Sequence, residues 1–472
     1  MTDRFPTSKA PSSSKSSSRN NPGSIVSSKF APDFSVTSSK EFFPTQVQVK
    51  LSDSESFHVY LHSSPENQIA GEATEEPQNK TAKGARPVIP GLCADPNSIL
   101  VVLCLHGAGF SGLSWAPLAK HLDLSLLNTH LVAIDLRGHG RSEAWNVSAE
   151  HDLSFERLAS DVCDVYNALS REKYVPSNME GEDGRISNKV KLFVVGHSMG
   201  GALAAYIGAN CRDRLANIAA TCVIDVVEGS AMNALSGMKS VLQSRPKSFS
   251  SSQQAVEWAV RSGYIKRRES AKISMIGQIT KSTRRVEQKS TATFGSLQEV
   301  ENDDDVDQNY IEPPSETNHN IPITTEDKQP NQNEAALTPE HLKTDDGFYP
   351  KCVLIDVDKQ ESSRDDNCSY SWRIDLFKTE KFWTSWFVGL TENYLSFPGP
   401  KLLILAGVDR LDKELTVAQM QGKFQMLVLP KAGHAVHEDV PDLVADALAT
   451  FVQRNKLAPT VESGFSRTNA GC

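Results

Sequence analysis

The sequence predicts an α/β protein with a mostly parallel central sheet and helices on both faces. Three observations carry that prediction. Near-continuous apolar runs of strand length recur at SILVVLCL, HLVAIDL, VKLFVV, ATCVIDVV, PKLLILAG and FQMLVLP, and strands apolar throughout belong in a sheet buried on both sides. Helical patterns separate most of them, as crossover helices separate parallel strands. The run KLFVV also passes through a Gly-rich turn directly into the small helix formers GALAAYIG.

The elements follow in chain order. Residues 1 to 40 are Ser-rich and mildly basic and lack the apolar core of a secretory signal. Pro6, Pro11 and the scarcity of large apolar residues leave no amphipathic transit helix, so a disordered tail is expected. A folded domain is expected over 41–455. It opens with EFFPTQVQVKLSDSESFHVYLHSS, which alternates as a hairpin with arms VQVKL and FHVYL. Residues 65 to 97 are polar and Pro/Gly-rich and predict a loop before the core strands resume.

Counting the two arms, ATCVIDVV is the sixth strand and PKLLILAG the seventh. The long segment between them predicts a cap over about 230–290 and an acidic insertion over about 290–347. From 299 to 346 fourteen Asp or Glu stand against two Lys with hardly any core-forming residues, the composition of a disordered segment. Upstream, KRR at 266–268 and KSTRR at 281–285 could be read as nuclear import signals, but the solvated face of a cap helix is the preferred reading. Residues 456–472 are expected to be a C-terminal tail.

Composition narrows the function. A hydrophobic content of 39% and a mean hydropathy of -0.36 fit a folded domain carrying unfolded segments. A net charge of -9 and a pI near 5.8 argue against general affinity for nucleic acid or anionic membrane. No apolar run approaches the roughly 20 residues of a membrane span. The eight cysteines form no Cys-Xaa-Xaa-Cys pair and have no His at metal spacing. Free thiols, a reducing compartment and no metal are expected; the location expected is cytoplasmic, with the nucleus as the alternative.

The chemistry centres on Gly196-His197-Ser198-Met199-Gly200. Three fixed positions are weak evidence, since about one unrelated chain of this length in seven carries the pattern by chance. Its place between a strand and a helix is stronger, because that order makes a nucleophile elbow in which Ser198 projects at a helix N-terminus. The plain alternative is a capping serine in a strand-to-helix turn.

A serine nucleophile needs a base later in the chain. His434 in LPKAGHAVHEDVPD follows the last strand, and His437 is the competing candidate, expected to be solvated or in a supporting position. An oxyanion needs N–H donors from Met199 and from the loop LCLHGAGFSG, through Ala108, Gly109 or Phe110. The orienting carboxylate is ambiguous from the residues alone. Asp409 or Asp412 follows one strand end, Asp225 another, and Asp135 a third that is expected to shape the loop under the site.

The strings VVGHSMGGA, VIDVVEGSAMNAL, RPKSF, ESAKISMIGQI, SWRIDL, TEKFW, GVDRLDKELTVAQMQGKFQMLVLP and GHAVHEDVPD together resemble the protein phosphatase methylesterase family. They span most of residues 100 to 453. The resemblance implies an α/β-hydrolase that removes the methyl ester from the C-terminal leucine of the type-2A protein phosphatase catalytic subunit. It assigns the acid role to Asp225, giving Ser198, Asp225 and His434, and it requires no metal or organic cofactor. Ala108 stands where a third glycine is common in the loop that supplies Ala108 and Gly109. The phosphatase subunit is implied as both substrate and binding partner, received by a wall between Met232 and Lys289 that includes Trp258 and Met275. A general small-molecule carboxylesterase or lipase, and a mainly phosphatase-binding inhibitory module, are the rival readings.

Overall fold

The computed structural model describes residues 32–64, 98–122, 126, 128–144, 152–177, 189–215, 217–281, 350–356, 369–408 and 411–459. The expected 65–97 loop, the acidic insertion and most of both tails lie outside the described residues.

Strands β1 (Thr45–Lys50) and β2 (Glu55–Ser63) pair antiparallel as the alternation predicts, with Val47 opposite Val59. β3 (Ile99–Leu105) and β4 (Thr129–Ile134) follow, then the two-residue β5 (Glu143–Ala144) beside β2. β6 (Val190–His197) and β7 (Ile218–Ile224) carry the middle of the sheet. Three short strands, β8 (Ser248–Phe249), β9 (Ile279–Lys281) and β11 (Tyr370–Trp372), make a separate small sheet, while β10 (Lys351–Leu354) joins the main one. β12 (Lys401–Leu405) and β13 (Gln425–Val428) complete it.

The main sheet runs β10-β1-β2-β4-β3-β6-β7-β12-β13 and is parallel from β4 to β13. Alternate residues of β3 point to opposite sides. Val101, Leu103 and Leu105 pack with the helices Phe155–Arg171 and Met199–Asn210, and Leu100, Val102 and Cys104 with Ala116–Leu122 and Pro441–Arg454. Both faces are therefore buried, which is why the strands read as continuous apolar runs. Pro441 opens the last helix at the position where a missing N–H costs nothing.

The cap rises between β7 and β12 from helices Glu228–Gln243, Ser252–Arg261 and Arg268–Gln278. Residues on both sides of the acidic insertion build it, because β11 lies between β8 and β9. Met275 is fully buried and Trp258 packs edge to face on Trp372, so both serve the cap's own core rather than an open wall. Part of the expected N-terminal tail is packed as well. Phe34 and Val36 lie on the cap core, Thr37 N–H bonds the Lys272 carbonyl at 3.0 Å and Asp33 pairs with Lys272 at 2.8 Å. The KRR stretch is also engaged, with Lys266 N–H bonded to Asp439 and Arg267 paired with Asp442. Cys104, Cys163, Cys211, Cys222 and Cys352 are free thiols. Among the described residues no helix is long and apolar enough to cross a membrane.

Candidate active site

The site assembles at the carboxyl ends of β6, β7 and β13, where ligands bind in open parallel sheets. The chain leaves β6 through Ser198 at φ 52° and ψ -122°, a backbone state rare outside glycine. Three hydrogen bonds hold it there. Ser198 N–H bonds the Ile224 carbonyl at 2.9 Å, and its own carbonyl accepts from Gly201 and Ala202 in the helix that begins at Met199. Glycine is required on both sides: a Cβ at Gly196 would collide with the Gly200 carbonyl, and one at Gly200 with the Leu105 carbonyl.

Asp225 ends β7 with a positive φ of 55°, its N–H bonded to the Ile404 carbonyl of β12 at 2.8 Å. Its Oδ1 accepts from Ala406 N–H at 2.9 Å, which leaves Oδ2 for His434 Nδ1 at 2.8 Å. His434 Nε2 stands 3.1 Å from Ser198 Oγ. An ionised Asp225 accepts from Nδ1–H, so the Nε2 lone pair faces the serine hydroxyl. The Asp225 carboxyl is fully buried, whereas the His434 side chain is 51% exposed. This arrangement can withdraw the Ser198 proton and deliver Oγ to an electrophile arriving from solvent.

The other candidates have different positions. Asp412 is the N-cap of helix Lys413–Met420, accepting from Leu415 N–H at 2.8 Å, and Asp409 lies outside the described residues. Asp135 accepts from Gly112 N–H at 2.6 Å, Arg141 N–H at 2.7 Å and the Tyr60 hydroxyl at 3.2 Å, tying the loop after β3 to the loop after β4. Burial pushes its carboxyl above the usual range. His437 is not solvated: it is buried between the Trp115 and His197 rings, 4.3 and 4.5 Å away, and burial pulls its pKa down to about 3.

Met199 is the first residue of its helix, where N–H groups have no intrahelical acceptor. In the loop after β3, Phe110 N–H is taken by the Gly107 carbonyl at 3.1 Å, which removes Phe110 as a donor. Gly109 at φ 81° suits the third position of a type II turn. The loop abuts the nucleophile, because a Cβ on Gly107 would come 3.2 Å from Ser198 Cβ. Ala108 and Gly109 N–H groups are the remaining donors of that turn.

Several further residues shape the site, and none of them has an individual role legible in the sequence. Asp439 accepts from Gly433 N–H at 2.6 Å and Lys266 N–H at 2.7 Å, anchoring the His434 loop and the cap together. A groove of about 360 Å³ lined by Leu242, Arg245, Lys247, Trp372, Leu376 and Phe377 adjoins the loop after β3. Arg245 lies over the rings of Tyr264 and Trp372 at 4.9 and 5.2 Å, and a Cβ on Gly109 would touch Leu376 at 3.0 Å and Arg245 at 3.7 Å. Among the described residues no group of three or more His, Cys, Asp or Glu could hold a metal ion.

The model of the alpha/beta hydrolase family matches residues 102–447. Protein phosphatase methylesterase 1 of Mus musculus is 38% identical over 397 residues, covering 84% of this chain and 86% of the relative. Probable protein phosphatase methylesterase 1 of Caenorhabditis elegans is 36% identical over 354 residues, covering 75% and 69%. Among solved structures, E-2-(acetamidomethylene)succinate hydrolase shares 13% identity at a TM-score of 0.47 over 86% of this chain and 99% of its own, too distant to bear on function. A match across 102–447 and 38% identity along most of both chains place this protein in the protein phosphatase methylesterase family, carboxylic ester hydrolases of the α/β-hydrolase fold.

Proposed function

We propose that the chain is a serine esterase that removes the methyl ester from the C-terminal leucine of the type-2A protein phosphatase catalytic subunit. The observation that carries this reading is the continuous hydrogen-bonded chain from Asp225 Oδ2 through His434 to Ser198 Oγ, at 2.8 and 3.1 Å. His434 Nε2 takes the Ser198 proton as Oγ attacks the ester carbonyl, and Asp225 holds the imidazole tautomer and stabilises the imidazolium. The oxyanion is received by N–H groups of Met199 and of Ala108 or Gly109. His434 then gives that proton to the methoxide oxygen as its bond to the carbonyl carbon breaks, so that methanol leaves; it next activates water against the acyl-enzyme, and the free carboxylate departs.

The half-exposed His434 supports a large substrate, since a polypeptide end can reach it without a lid opening. The groove beside Gly109 supports the same view: Leu242, Leu376 and Phe377 offer apolar surface to a leucine side chain, and Arg245 and Lys247 offer charge to the preceding residues. Five free thiols among the described residues are in keeping with a reducing, cytoplasmic setting.

The deciding experiment is methyl release from carboxymethylated type-2A phosphatase catalytic subunit by wild type and Ser198→Ala, with an aryl acetate run in parallel. Release by wild type alone is expected. Aryl ester cleavage without phosphatase demethylation would return the chain to the small-molecule esterases, and phosphatase binding without either activity would make it an inhibitory module.

A further inference from the structure

His197 fills the variable position just before Ser198, yet it faces away from the substrate side. It has no exposed surface. Its Nε2–H donates to the His434 backbone carbonyl at 2.8 Å, a contact between residues 237 positions apart. Nδ1 has no hydrogen-bond partner among the described residues. The ring is therefore tied at one atom only, and that atom goes to the residue bearing the base.

Packing leaves the ring one orientation. Phe110 meets it edge-on at 5.4 Å, His437 and His434 lie 4.5 and 4.8 Å away, and a Cβ on Gly107 would come 3.0 Å from Nδ1. Burial, the largest effect, and the neighbouring His437 and His434 rings hold its pKa well below the ordinary value, so it keeps a single ring proton. With Nε2 donating, that proton is on Nε2.

The His434 carbonyl has a second donor, Val436 N–H at 3.0 Å, across Ala435 at φ -81° and ψ 60°. That is an inverse γ-turn, a local contact that travels with the loop. Among the described residues only the His197 bond ties this carbonyl to the central sheet, through the same β6 strand that presents Ser198.

We propose that His197 is a positioning residue for His434, holding the base's backbone from beneath while Asp225 holds its imidazole, a role that rests on the triad reading above. Because His197 and Ser198 are adjacent on one strained turn, the distance from base to nucleophile is set across a single rigid unit. Loss of the bond lets the His434 loop shift, and proton transfer is sensitive to displacements well under an ångström.

The test measures kcat and KM for an aryl acetate with full-length His197→Gln, His197→Asn and His197→Leu beside Ser198→Ala. Glutamine carries an amide N–H at nearly the reach of imidazole Nε2, whereas asparagine carries one near Nδ1. The Leu and Asn variants are expected to lose about 10- to 100-fold in kcat with KM little changed, and Gln to restore kcat to within about threefold. Leu and Asn variants within about twofold of wild type, or a Gln variant as impaired as Leu, would overturn the proposal. If His197→Leu does not fold, Asn against Gln decides. Full turnover by Ser198→Ala removes the triad reading and this role with it. Loss in Ser198→Ala with undiminished kcat in the Leu and Asn variants rejects the positioning role alone.

Discussion

Asp225 Oδ2 lies 2.8 Å from His434 Nδ1, and the other oxygen of the same carboxylate is held by Ala406 N–H. Both lone-pair faces are thus committed, one to the adjacent strand end and one to the imidazole. An asparagine here must keep its oxygen on Ala406, which turns its NH₂ toward Nδ1 and forces the imidazole proton onto Nε2. That nitrogen then cannot accept from Ser198. Asp225→Asn is expected to cut kcat for ester hydrolysis by about 10,000-fold while the protein stays folded. Steady-state kinetics paired with a thermal melt checks it, and a loss under about tenfold would move the acid role to another residue.

Acid should destabilise this protein through its buried histidines. Burial lowers His58 and His437 to about 3, and His130 and His139 to about 4. These groups are depressed in the folded state, so as pH drops below about 6.5 the unfolded chain takes up protons that the folded chain refuses. Stability therefore falls with pH until the folded values near 3 to 4 are reached. The buried carboxyls Asp161 and Glu438 are pushed up and act in the opposite sense, so a difference between variants is the clean measurement. Among the described residues His437 has no hydrogen-bond partner at either ring nitrogen. His437→Leu should make the unfolding free energy between pH 4.5 and 6 shallower by about 1.4 kcal/mol per pH unit. Urea titrations at four or five pH values would show this, and an unchanged slope would place the His437 pKa near its ordinary value.

The parallel strands were legible because burial on both faces leaves apolar side chains at every position, and Ser198 because its turn demands glycine at 196 and 200. His434 was legible from its place after the last strand. Choosing among Asp225, Asp409 and Asp412 was not possible from local sequence. All three follow strand ends, and which one meets His434 depends on β7, β12 and β13 being neighbours, a property of sheet order. His197 was hidden because it acts on a backbone carbonyl, which leaves no partner side chain to search for. β10 and the cap strands span only two to four residues, too short for a period of two to register. The packed segment around Phe34 was masked by its serine-rich surroundings.

Two glycines in helices should respond to alanine in opposite directions. Gly200 sits in the first turn after Ser198, and a Cβ there would run into the carbonyl oxygens of Leu105 and His106, backbone atoms that cannot swing aside. Relief requires the helix to move off β3, which shifts Ser198 away from His434 as well as loosening the core. Gly237 lies in the exposed middle of helix Glu228–Gln243 with nothing within 4 Å of the position a Cβ would take. There alanine only removes the entropic cost of glycine in a helix. Gly237→Ala is expected to raise the unfolding free energy by about 0.5 to 1 kcal/mol with kcat unchanged. Gly200→Ala is expected to lower it by about 2 kcal/mol or more and to reduce kcat beyond what the lost folded fraction explains. Chemical denaturation with kinetics normalised to folded protein separates the two effects. A Gly200→Ala enzyme with normal kcat per folded molecule would mean that the elbow tolerates a displacement of its helix, and that the tight Gly196–Gly200 contact serves stability alone.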